Sequence, residues 1–178
     1  MKKILTIIGT VIATAAYSQG TLIINNYSKF DFHGFMMAGN STVGCYPRVG
    51  NQNEIIVPAD SHMGNGHELV YKDYENQFYS LYPTNSWHVY TNANTSSFLP
   101  WNDPALSAGG TLSTTTQWYA TKFFTTLPGT STSNPDFQTN LGLSSPCNPN
   151  SMTSYTTPSG DNSADIFVIG GITYLQLY

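Results

Sequence analysis

At 178 residues, with 40% hydrophobic and 13% aromatic side chains, the chain is long enough to bury a core and too aromatic to stay disordered. Charged residues make up only 9% of it, against about 25% in an average soluble protein, and six cations face ten carboxylates. That balance excludes the clustered Lys and Arg on which nucleic-acid binding rests, and it disfavours an anionic membrane surface.

The chain opens like an export signal. Lys2 and Lys3 supply a positive start, residues 4–13 are uncharged and largely apolar, and Ala16 and Ser18 place small side chains where a processing peptidase requires them. The apolar stretch is shorter than the about 20 residues a bilayer core needs. A cleaved leader over residues 1–18 is therefore expected, not a membrane anchor, and no cysteine follows the cut to carry a lipid. The short Lys-Lys start has a bacterial look. The mature portion, residues 19–178, reads as a single β-rich domain, secreted or periplasmic. It keeps Lys29, Arg48, Lys72 and Lys122 against ten carboxylates, a net charge of −6.

Residues 21–27 form a β-branched run. In residues 29–38, Phe30, Phe32 and Met36 fall on one face and Asp31 and His33 on the other, the period of a half-buried strand. A short strand at 54–57 is closed by Pro58. The glycine-broken loop after it holds Asp60, His62, His67 and Glu68, residue types that ligate metals, but at a spacing that matches no metal motif. Residues 67–81 fit two patterns: Leu69, Tyr71 and Asp73 alternate as in a strand, while Leu69, Tyr74 and Phe78 nearly fit a helix.

Strands are expected at 87–92 and 117–126, the second with Trp118, Ala120 and Phe124 in phase. Trp87 and Trp118 belong to the core on this reading. Trp101 differs, because it sits in a turn between Pro100 and Pro104. An exposed ring there, with Asn102 and Asp103 as polar neighbours, is the kind of surface on which a sugar stacks. A short helix is expected from Asn134 to Gly142, with Asn134 as cap and Pro135 in its first turn. Ser and Thr crowd residues 107–116, 125–133 and 151–163, which read as loops. In the last of these, Asp161, followed by Asp165, offers closely spaced oxygen ligands suited to calcium, without the later Glu of an EF-hand. At the end of the chain, two apolar runs flank Gly170-Gly171, the pair that a type I′ hairpin turn demands.

Cys45 and Cys147 are the two cysteines. In an oxidising compartment they are expected to pair, closing a loop of about 100 residues. The fold expected from all this is all-β: a single antiparallel β-sandwich-like domain with a C-terminal β-hairpin and at most one or two short helices. Leu22 to Asn26 and Ile55 to Ala59 also resemble the opening strands of thaumatin-like and aegerolysin-type sandwiches, which implies the same architecture and no site residue.

No G-x-S-x-G elbow or other catalytic motif is present, and no cofactor motif stands out. The expected function is a non-enzymatic binding module for a carbohydrate or another surface ligand. The alternatives are a structural or protein-interaction component of the cell envelope and, less favoured, a hydrolase with an unmarked carboxylate pair. The expected partners are a glycan or a surface protein.

Overall fold

The computed structural model describes residues 20–40 and 44–178. The expected leader lies outside the described residues. The first half of the domain contributes β1 (Thr21–Asn26), β2 (Asp31–Gly39), β3 (Arg48–Asn51), β4 (Ile55–Val57), β5 (Leu69–Tyr71), β6 (Ser86–Asn92) and β7 (Thr95–Pro100). The second half adds α1 (Thr111–Thr115), β8 (Gln117–Thr126), β9 (Ser133–Gly142), β10 (Ser154–Thr156), β11 (Ser163–Ile169) and β12 (Ile172–Leu177).

These strands form two sheets. The smaller runs β10-β11-β12-β1-β5, and the larger runs β7-β6-β3-β2-β8-β9 with β4 also paired to β2. Every pair is antiparallel except β1 with β12, because the closing hairpin lays its last strand beside the first one in the same direction. Between the sheets lie Leu22 and Ile24 of β1, Phe32 and Met36 of β2, Val49, Trp87, Trp118, Phe137 and Leu175, all buried. The architecture is the all-β sandwich that the strand patterns imply. The terminal hairpin turns on Gly170 and Gly171 at φ 60° and 81°, a left-handed region costly for other residues.

The ambiguous stretch divides. Leu69–Tyr71 is strand β5, Tyr74 is buried just after it, and a single 3₁₀ turn covers Asn76–Tyr79. Residues 134–142 are not the expected helix but strand β9. Phe137 and Leu141 point into the core from it. Asn134 and Pro135 mark a bulge opposite Phe124 and Thr125, where a missing N–H costs the sheet little. The α-helix is instead α1, in a stretch that reads as a loop. Thr114, Thr115 and Thr116 each return their hydroxyl to the carbonyl four residues earlier, and Leu112 anchors the turn to the core.

A second bulge matters more. Met37 lies opposite Ala120 and Ala38 opposite Trp118, so Tyr119 has no partner on β2. The inward phase of β8 therefore slips by one residue. Trp118 and Phe123 face the core. Phe124, which simple alternation places with Trp118, lies on the opposite face against His33, ring centroids 4.8 Å apart.

Four aromatic rings join the two sheets. Tyr74 meets Trp87 edge-on at 4.9 Å and Trp118 at 5.6 Å, and Tyr71 packs against both indoles. The Tyr74 hydroxyl is hydrogen-bonded to Thr116 at 2.7 Å, and the Tyr71 hydroxyl donates to the Tyr82 carbonyl at 2.7 Å. Burial pushes both phenols far above the ordinary tyrosine range. In the unfolded chain they ionise near pH 10, while in the fold they stay neutral. Their contribution to stability is therefore complete below about pH 10 and declines above it, by about 1.4 kcal/mol per pH unit for each phenol. Unfolding free energies from urea titrations should hold from pH 9 to about 10 and then fall with that slope towards about pH 11.5. Tyr74→Phe should make the slope shallower, and a profile flat through that range would contradict this account.

Candidate functional site

The outer face of the larger sheet carries a broad concavity. A groove of about 520 Å³ runs over β2, β8 and β9, walled by the loop after β9. That volume is within the range of small-molecule sites, about 300–1,000 Å³. Its chemistry comes from Arg48, Tyr119, Lys122, Asn140, Asn150 and Ser151. Local features position several of them. Tyr119 is the bulge residue, and its ring lies so close over Gly39 that a Cβ on Gly39 would sit 3.0 Å from it. Burial raises the Tyr119 phenol above its usual value, and nearby Arg48 opposes the rise. Lys122 lies between Phe35 and Asn140 in the cross-strand row.

The far wall depends on the disulfide. Cys45 and Cys147 are bonded, with Cα atoms 5.4 Å apart and a separation of 102 positions in sequence. The bridge holds the 145–152 loop against the start of β3. The Gly142 amide donates to the Met152 carbonyl at 2.8 Å, and Asn148 and Ser151 pack where a side chain on Gly142 would go. On the opposite side the groove shares Met37 and Arg48 with a second hollow of about 360 Å³ lined by Phe35, Tyr46, His88 and Tyr90. His88 packs between Tyr90 and Phe98, with centroids at 4.2 and 4.3 Å.

Trp101 lies elsewhere, just past the β7 end where Pro100 pairs with Ser86, whereas Arg48 pairs with Tyr90 towards the other end. Its ring is half-buried and stacks on Phe78 at 4.4 Å, with Tyr79 edge-on at 5.3 Å. Asn102 is exposed beside it. Asp103 caps the short 3₁₀ turn Pro104–Leu106, accepting from the Ala105 amide at 2.9 Å. One face of the indole and one carboxylate oxygen are thus already engaged.

In the histidine loop, Asp60 and His62 are engaged with each other and with Gly64 and Asn65, while Glu68 Oε2 is buried without a hydrogen-bond partner among the described residues. His62 Nε2 is 3.1 Å from Asp60, and its Nδ1 lies 3.1 Å from the Gly64 amide, which donates to it. His67 contributes its backbone carbonyl to the Tyr82 hydroxyl. Asp161 sits exposed in the turn between β10 and β11, and Asp165 lies on β11 opposite Gln176 and Ser154. Among the described residues no three His, Cys, Asp or Glu side chains gather in one place. Nor is any helix there long and apolar enough to cross a membrane.

Sequence reasoning passed over Arg48, Tyr119, Lys122 and Asn140. The scarcity of cations was a usable signal for Arg48 and Lys122. Tyr119 depends on a bulge that no residue pattern announces. No family model, curated protein or solved structure matches the chain.

Proposed function

We propose that the protein is an exported, non-enzymatic binding module whose groove on the larger sheet takes a saccharide. The observation that supports this reading is the combination, in one concave site, of an aromatic ring at Tyr119 with the side-chain amides of Asn140 and Asn150 and the Ser151 hydroxyl. The C–H face of a sugar packs on an aromatic ring while its hydroxyls exchange hydrogen bonds with amides. No Asp or Glu lines the groove. Glycoside cleavage by a carboxylate pair, which needs two acids flanking the bond, has no residues to work with there. Export rests on the leader-like residues 1–18 and on the disulfide, a bond that persists in oxidising compartments. Trp101, Asn102 and Asp103 form a second candidate contact, and Asp161 and Asp165 remain the candidates for a calcium ion.

The test is binding of the oxidised protein to a glycan array, with calcium and with chelator. Concentration-dependent hits are expected, and Tyr119→Ala should weaken them at least about tenfold, a loss of about 1.4 kcal/mol. Hits lost by Trp101→Ala but kept by Tyr119→Ala would move the site to the other end of the sheet. A blank from folded protein would sink the saccharide reading. It would favour a protein partner instead, for which Tyr79 and Leu81, 72% and 69% exposed beside the Trp101 cluster and along the same segment, supply an apolar surface.

A further inference from the structure

Resting on that reading, we infer that the groove selects a negatively charged saccharide, its acidic group held by Arg48 and Lys122. The described residues contain four cations and ten carboxylates. Two of those four cations line this one groove, and no carboxylate lines it or the hollow beside it. The carboxylate contacts to basic side chains among the described residues are those of His33 with Glu54 and His62 with Asp60, so neither Arg48 nor Lys122 is neutralised by a carboxylate. In a chain this acidic, the groove is a local exception in sign, and a concave site walled by low-dielectric protein concentrates such a field.

Arg48 is also pre-set. Its Nε–H donates to the Cys45 carbonyl at 3.0 Å, and its guanidinium lies 4.9 Å from the centre of the Tyr46 ring. Those contacts fix the plane of the group and leave its terminal N–H donors for a carboxylate or sulfate, which a guanidinium grips with two parallel hydrogen bonds. The disulfide holds Cys45, and thus the carbonyl that orients Arg48, to the loop forming the opposite wall. Lys122 reaches the same groove from β8 as a mobile point charge, with Asn140 beside it as a neutral donor and acceptor. A uronate, a sialylated sugar or a sulfated sugar presents the acid and the hydroxyl-bearing ring together.

The experiment compares matched saccharides on the full oxidised protein: uronates against their methyl esters, and sulfated or sialylated oligosaccharides against their neutral parents. Binding is expected only to the acidic members, and it should weaken as salt rises. Lys122→Gln and Arg48→Gln should each reduce affinity at least about tenfold, and the uronate and sulfate arms identify which acid is preferred. Lys122 is exposed, so its variant keeps the test valid even if Arg48→Gln disturbs the fold. Neutral and acidic members bound alike, with Lys122→Gln unaffected, would overturn this inference and leave the saccharide reading standing. Failure of folded protein to bind any saccharide would remove both.

Discussion

Removing the Cys45–Cys147 bridge, by changing both residues to Ala, is expected to lower stability by about 4–5 kcal/mol and Tm by roughly 10–20 °C. The bond joins positions 102 residues apart, and releasing so long a loop returns a large entropy to the unfolded chain. The effect on the groove should exceed the effect on the core. The strands keep their partners without the bridge, whereas the 145–152 loop, which contributes no strand of its own, meets the sheet through contacts such as the Gly142–Met152 hydrogen bond. Binding should therefore weaken under reductant at temperatures where far-UV circular dichroism still reports an intact sandwich. Thermal unfolding with and without reductant measures the first effect. A shift of less than about 1 kcal/mol would mean that the unfolded chain is already compact around those residues.

Trp87→Ala is expected to cost about 3–5 kcal/mol, enough to leave the domain marginal. The indole is fully buried and touches the rings of Tyr71, Tyr74 and Trp118, so its loss opens a cavity between the two sheets where β5, β6 and β8 meet. A second penalty adds to the first, because the Trp87 Nε1–H donates to the Tyr74 carbonyl at 3.1 Å and the deletion leaves that acceptor buried and unpaired. Trp101→Ala should cost much less, since its ring is half-buried and packs on only one face. Urea midpoints of the two variants measure the difference. Equal losses would show that the Phe78–Trp101 stack carries far more of the fold than its exposure implies.

Much of the β architecture was legible from local pattern. Residues 29–38 alternate because one face of β2 packs on the core, and Pro58 follows β4 because it cannot continue a ladder. The same Pro58 carbonyl, with those of Val57 and Phe30, takes the amide of buried Asn26, which is why an Asn closes β1. Strands β3, β7 and β10 escaped notice because three or four residues, or a polar Thr-Ser-Ser run, carry too little periodicity to read, and the three residues of β5 left a strand and a helix pattern both open. The helix expected at 134–142 failed for a different reason. An Asn-Pro pair signals a broken backbone N–H pattern, and a strand bulge uses that break as well as a helix start does.

By itself the sequence determined the terminal hairpin, the pairing of its two cysteines and the burial of Trp87 and Trp118. Each follows from chemistry local to the residues or from there being one available partner. Only the tertiary structure decided the groove. Arg48 comes from β3, Tyr119 and Lys122 from β8, Asn140 from β9 and Ser151 from the loop beyond. They meet because the strand order β3-β2-β8-β9 brings together segments about a hundred residues apart, and because one unpaired residue at the bulge slips the phase of β8. Strand order and register are set by the summed packing of whole faces, a quantity that no single stretch of residues contains.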